Sequence, residues 1–274
     1  MYKRYTTVAG STLMIRKTDS SRIKTEKGKR RAKMNPTSEA VAKINKINQE
    51  RRLTAAINSN FIPGDLWVTL SYSEIHSIEH CMKEITKFKR NLRNFAKKKG
   101  IVYKIIESTG IGRKKGKPHH HVVISGNITR DMIIRYWPEE RVHIETLWSS
   151  GNYHRIAKYM LKNAYQSKSE RGKHSKAFRS SVNVTIPQTR EEEMKRPASY
   201  DPEDIKPHEG YYIDRDSIRV YEHPITGAPC IEYIEVSLTQ QPRIKHYSKG
   251  KVAKLEKQYR EPLAEQMFIE QLEF

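Results

Sequence analysis

The chain has 274 residues, 36% of them hydrophobic, and carries 52 Lys+Arg against 31 Asp+Glu for a formal net charge of +21. That length fits one large or two small domains, and the low apolar share excludes a large buried barrel in favour of a modest core in basic surroundings. Cys81 and Cys230 form no C-x-x-C pair, no apolar stretch follows Met1, and no apolar run approaches membrane-spanning length, so a disulfide scaffold, a zinc knuckle, an exported protein and a membrane protein are all disfavoured and a reducing, cytoplasmic setting is expected.

The charge is unevenly spread. Residues 1–137 hold 30 Lys+Arg and 10 Asp+Glu, whereas 138–274 hold 22 and 21. A polyanion such as nucleic acid is therefore the expected partner of the first half, because cations that neutralise phosphates release counterions.

In chain order, residues 1–36 read as a basic flexible arm, most clearly from Ser20 to Asn35. After Pro36, apolar positions Ala40, Val41, Ile44, Ile47, Leu53 and Ile57 recur at helical spacing through Asn58. Gly64 and Asp65 turn the chain into a strand, Leu66 to Tyr72, rich in aromatic and β-branched residues. From Ser77 to Lys99, Ile78, Met82, Ile85, Phe88, Leu92 and Phe95 define the apolar face of a helix whose other side is basic; Gly100 ends it. Residues 101–107 and 119–125 read as an antiparallel hairpin. A short helix near Thr129 to Tyr136, a strand from Val142 to Leu147 and a helix from Ser150 to Gln166 follow. This order predicts an α+β fold, with about five antiparallel strands covered by helices on one face and the other face open to a ligand. The expected domains are the arm (1–36), a core domain (37–190) that includes the first helix, and a C-terminal accessory region (191–274). That region contains a Glu191-Glu192-Glu193 run, strands at Tyr211 to Tyr221 and Cys230 to Leu238, and a helix from Val252 to about Leu272.

Pro118-His119-His120-His121-Val122-Val123-Ile124 is the sharpest chemical feature. Residues i and i+2 of a strand share a face, so His119 and His121 stand side by side while His120 points the other way. If Glu107 on the neighbouring strand lies opposite His119, two imidazoles and a carboxylate form a metal site with open positions, which suits catalysis. Further on, Tyr159 and Lys162 share a helical face, and a phenol beside a cation can act as a nucleophile. The loop Gly110-Ile111-Gly112-Arg113-Lys114-Lys115-Gly116-Lys117 offers Arg113, Lys114, Lys115 and Lys117 to backbone phosphates. It lacks P-loop spacing, and no Walker motif occurs, so no nucleotide cofactor is expected. Trp67, Tyr72 and Tyr103 are candidates for base stacking, with core packing as the alternative.

Trp67-Val68-Thr69-Leu70-Ser71-Tyr72, then Glu107, then Pro118-His119-His120-His121-Val122-Val123-Ile124, then Tyr159-Met160-Leu161-Lys162, in this order, resemble the three motifs of HUH endonucleases, in particular the single-tyrosine rolling-circle replication initiators of bacterial phages and plasmids. Arg179 to Pro187 is similar to the segment after the tyrosine helix in phage-type members. The resemblance spans about residues 60–190. Two features depart from the pattern: His120 stands where a hydrophobic residue is usual, and Tyr153 and Tyr165 neighbour Tyr159.

The resemblance implies an RRM-like sheet with a divalent Mg or Mn ion on Glu107, His119 and His121, and attack by Tyr159 on single-stranded DNA at a replication origin. Lys162 would steady the phosphate or phenolate. The outcome would be a 5′-phosphotyrosine and a free 3′-OH, followed by strand rejoining. A host helicase and polymerase would be further partners, in the cytoplasm of a bacterial host. A mobilisation relaxase, a single-strand transposase, a water-using metal phosphoesterase and a non-catalytic RRM-like nucleic-acid binder are the alternatives.

Overall fold

The computed structural model describes residues 2–19, 38–112, 116–125, 128–137, 141–166 and 176–239. The basic stretch from Ser20 to Asn35, loop residues Arg113, Lys114 and Lys115, and the helix expected at 252–272 lie outside the described residues. The architecture is α+β, as expected, but the described residues form two five-stranded antiparallel sheets rather than one. Each belongs to its own compact unit.

The first unit is formed by the described residues of 1–59, 149–158 and 185–243. Its sheet has the order β8 (Thr189–Met194), β1 (Tyr2–Ala9), β2 (Thr12–Asp19), β10 (Pro229–Ser237), β9 (Tyr211–Glu222). Residues 2–19, assigned to the arm from sequence, are therefore a β-hairpin. Its tight turn uses Gly10 at a φ of +57°, a conformation that suits glycine. A Cβ there would also stand 2.0 Å from the Asn58 carbonyl oxygen of helix α1 (Ser38–Asn60). The charges that disguise the hairpin are answered from far along the chain: Lys3 pairs with Glu191 at 2.5 Å and Arg4 with Glu192 at 2.5 Å, while Arg16 lies 4.0 Å above the Tyr5 ring. The Glu191-Glu193 run is thus an edge strand matched to β1. Residues on both sides of the boundary expected near 190 belong to this sheet, since β8, β9 and β10 join the N-terminal hairpin.

The second unit centres on residues 60–148 and 159–184. Its sheet has the order β6 (Arg141–Thr146), β3 (Leu66–Ser71), β5 (Pro118–Ile124), β4 (Ile105–Ile111), β7 (Arg179–Ser180). Helix α2 (Ile78–Lys99) begins at Ser77, whose side chain accepts the His80 N–H, and ends at Gly100, with a φ of 69°. Together with α3 (Arg130–Tyr136), it covers one face of the sheet. Cys81, Ile85, Phe88, Leu92 and Ala96 pack there against Val68, Leu70, Val122, Ile124 and Trp137. The outer side of α2 exposes Lys83, Lys87, Arg90, Arg93, Lys97 and Lys98, as the helical periodicity predicts.

Cross-strand partners share a face, so pairing fixes both sides of the sheet. Leu66, Val68 and Leu70 of β3 take the helix side, and Trp67, Thr69 and Ser71 take the other. The second face is not wholly open. It meets residues of helix α4 (His154–Gln166), of which Met160, Leu161 and Ala164 are buried and Tyr159 is 50% exposed.

Candidate active site

Strand β5 divides its three histidines as the alternation requires. His119 and His121 occupy the α4 face, with ring centroids 4.8 Å apart. His120, fully buried, occupies the helix side. There its Nε2 lies 2.8 Å from the Tyr72 hydroxyl and its Nδ1 2.9 Å from Thr109 Oγ1. The Tyr72 hydroxyl also donates to the Cys81 carbonyl at 3.1 Å, so it accepts from His120 Nε2–H, and the unprotonated Nδ1 accepts from Thr109. Burial, with help from neighbouring His119 and His121, lowers the His120 pKa to about 3 and fixes the ring as neutral. The polar residue in place of a hydrophobic one is therefore a core histidine that ties β5 to β4 through Thr109 and, through Tyr72, to α2.

Tyr72 belongs to this core and is fully buried. It is not available to stack on a base, which corrects its assignment as a DNA-binding residue. Trp67 lies on the histidine face but is only 9% exposed. Its ring stacks on His121 at 5.3 Å and 14°, and meets Tyr159 edge-on at 6.4 Å. It therefore supports the two side chains from beneath. Tyr103 is also buried, and burial raises its hydroxyl pKa.

The structure brings Tyr159 to the histidines, with its ring 4.8 Å from that of His121 at an angle of 68°. Neither Tyr153, fully buried, nor Tyr165, six residues along the helix, replaces it. Lys162 is exposed one turn further along α4. Lys117 is half-buried, and its ammonium reaches the Ser73 carbonyl at 2.5 Å.

Glu107 is not brought to the same place. Expected opposite His119, it pairs instead with Val122, and His119 pairs with Gly110. The shift is three residues, and an odd shift moves a strand residue to the other face. At the end of α2 the Gly100 and Ile101 N–H groups bond to the Lys97 and Ala96 carbonyls. The ladder of β4 starts at Ile105 rather than at 101, and the hairpin extends to Ile111 and Pro118. Glu107 is 2% exposed on the helix side, where its Oε1 accepts from Lys89 and lies 3.9 Å from Arg179. Among the described residues, no group of three His, Cys, Asp or Glu side chains is placed to hold a metal ion.

The β4 residues that do face the histidines are Ser108, opposite His121, and Gly110, opposite His119. Ser108 Oγ and His121 Nε2 are both buried without a hydrogen-bond partner, while His121 Nδ1 lies 3.1 Å from Thr69 Oγ1. Burial, then the neighbouring His119, lowers the His121 pKa to about 3, and burial lowers that of His119. Both rings are therefore neutral at pH 7 and able to act as ligands. A Cβ on Gly110 would lie 2.9 Å from Asn163 Cβ and 3.0 Å from His119 Nε2, so this glycine clears the space where α4 meets the histidine strand. Sequence reasoning does not single out Ser108 or Asn163, and it reads Gly110 as the start of the hairpin loop, whereas Gly110 lies within β4. Asn163 is four residues after Tyr159, a detectable spacing, but the role of Ser108 depends on the strand register.

Residues 65–164 match the model of a family of replication-associated proteins, the ORF2 family. No curated protein and no solved structure gives a significant match. The matched segment contains β3, both strands of the histidine hairpin and nearly all of α4, including Tyr159, so the likeness to replication-associated proteins coincides with the part of the chain that builds the site. Among the described residues, no helix is long and apolar enough to cross a membrane.

A separate cavity of about 460 Å³ lies within the first unit, lined in part by Tyr5, Arg16, Arg51, Arg219 and Glu232. Glu232 takes Arg51 at 2.5 Å and Arg219 at 2.8 Å, so much of its charge is satisfied internally.

Proposed function

We propose that the chain initiates rolling-circle replication by nicking and rejoining single-stranded DNA, with Tyr159 as nucleophile. The observation that carries this reading is the contact of the half-exposed Tyr159 ring with the His121 ring, within a segment that matches a replication-associated family. A solvent-accessible phenol beside the neutral His121 imidazole, with His119 next to it, fits attack on a phosphodiester better than core packing.

In the forward step Tyr159 Oη bonds to phosphorus as the bond to the 3′-oxygen breaks. The phenol proton leaves to solvent or a nearby base, and the departing 3′-oxygen gains a proton. The products are a 5′-phosphotyrosine and a free 3′-OH; attack by a 3′-OH on that linkage restores the strand and the phenol. Lys162 lies on the helix that carries the nucleophile and would offset phosphate charge. Trp67 would hold His121 and Tyr159 in their mutual orientation. His119 and His121 could each donate a ring nitrogen to a divalent Mg or Mn ion, which would supply Lewis-acid stabilisation of the phosphate.

The test is incubation with a pool of labelled single-stranded oligonucleotides and Mn²⁺, resolved on a denaturing gel. Wild type should give a covalent protein–DNA band that Tyr159→Phe lacks while still binding DNA. Cleavage without a covalent band would indicate hydrolysis by water, and binding without cleavage would indicate a binding module.

A further inference from the structure

We propose that Ser108, rather than Glu107, is the β4 residue that completes the cation site on the His119/His121 face. The inference rests on the function proposed above. It starts from register: Ser108 is directly opposite His121 and on its side of the sheet, whereas Glu107 is directly opposite Val122 on the other side. Two polar atoms on this row, Ser108 Oγ and His121 Nε2, are each buried and without a partner. Buried polar groups are nearly always satisfied, so two unsatisfied ones in the same cross-strand row point to a common ligand.

Glu107 already has another role. Its Oε1 takes Lys89, Arg179 stands 3.9 Å away, and its Oε2, buried without a partner, belongs to a residue on the helix side, not the histidine row. To reach the histidines it would have to leave the Lys89 ammonium without its carboxylate and pass through the plane of the sheet. Separating the pair takes the carboxylate, itself 2% exposed, from the cation that compensates it, and reversing the face of one strand residue would disturb the ladder on both sides.

The chemical consequence is specific. Two imidazoles and a hydroxyl, acting directly or through a bound water, form a neutral ligand set. A divalent cation held by it keeps its full charge for phosphate oxygens, and the protein alone binds it weakly. DNA phosphate would then be a major part of the site, so cation and single-stranded DNA should bind cooperatively.

The test measures cation binding rather than turnover. Full-length protein is titrated with Mn²⁺ while free Mn²⁺ is followed by electron paramagnetic resonance, with and without a single-stranded oligonucleotide. Wild type, Ser108→Ala, Glu107→Gln, His121→Ala and the Lys89→Met/Glu107→Met double variant are compared after their folding is checked by circular dichroism. The double variant removes both partners and so guards against misfolding from an unpaired lysine. Glu107→Gln and the double variant should bind Mn²⁺ within about twofold of wild type, Ser108→Ala should bind it several-fold more weakly, and His121→Ala should lose it. DNA should tighten Mn²⁺ binding by wild type. If the folded Glu107 variants lose Mn²⁺ while Ser108→Ala keeps it, the assignment is overturned and the metal reading stands. If wild type binds no Mn²⁺ even with DNA, both fall.

Discussion

Replacing His120 by leucine should cost stability at neutral pH and cost little or nothing at acid pH. Near pH 7.5 the substitution removes the bonds to Tyr72 and Thr109, each of 2.8–2.9 Å. A buried hydrogen bond contributes about 1 kcal/mol net. The Tyr72 hydroxyl keeps the Cys81 carbonyl as acceptor, and leucine suits the surrounding aromatic rings, so the net loss should be about 1–2 kcal/mol. In acid the wild-type ring is a liability. Its folded pKa is lowered to about 3 from 6.5, so above pH 6.5 both states are neutral and the group has no effect. As pH falls below that value the unfolded chain binds a proton that the folded chain refuses, and stability declines until about pH 3. Each such histidine costs about 1.4 kcal/mol per pH unit well below 6.5, or about 2 kcal/mol by pH 5. Leucine removes that cost, so the variant should equal or slightly exceed wild type at pH 5. Urea unfolding at pH 7.5, 6.5, 5.5 and 5, with EDTA present to keep His119 and His121 free of metal, measures the difference. A stability gap that stays constant over this range would refute the view of His120 as a neutral buried ring.

Other expectations concern the surroundings of the same site. Trp67→Ala removes the plane on which His121 rests and the edge contact to Tyr159; it should lower stability by about 3 kcal/mol, and covalent-adduct formation by up to about 100-fold because the nucleophile is no longer held. Comparing adduct rate with urea midpoint checks both, and an unchanged rate would deny Trp67 a positioning role. Gly110→Ala places a methyl 2.9 Å from Asn163 Cβ and should cost about 1–3 kcal/mol, with adduct formation reduced more than single-stranded DNA binding on a gel-shift titration. Changing Lys83, Lys87, Arg90 and Lys97 of α2 to Gln should flatten the dependence of log K on log salt by about 0.7 for each phosphate no longer neutralised, while adduct formation at saturating DNA stays unchanged. A uniform drop in adduct at saturation would place these cations in the chemistry instead.

Much of the second unit was determined by its own sequence. The 3.6-residue spacing of Ile85, Phe88 and Leu92, Ser77 at the start and Gly100 at the end specify α2 with almost no help from the rest of the chain. Alternation on β5 likewise separates His120 from His119 and His121 whatever the partner strand, and Tyr159 lies on an amphipathic helix legible in the same way. The hairpin of residues 2–19 was not legible, because local charge density outweighs its alternation and the glutamates that answer Lys3 and Arg4 come from β8, 188 residues along the chain. Tertiary structure alone decided which residue faces the histidines. A strand has a two-residue period, so the identity of the facing side chain depends on whether the register is odd or even. The long-range pairing of β4 with β5 sets that parity, and with it Glu107 is turned toward Lys89 and Ser108 toward His121.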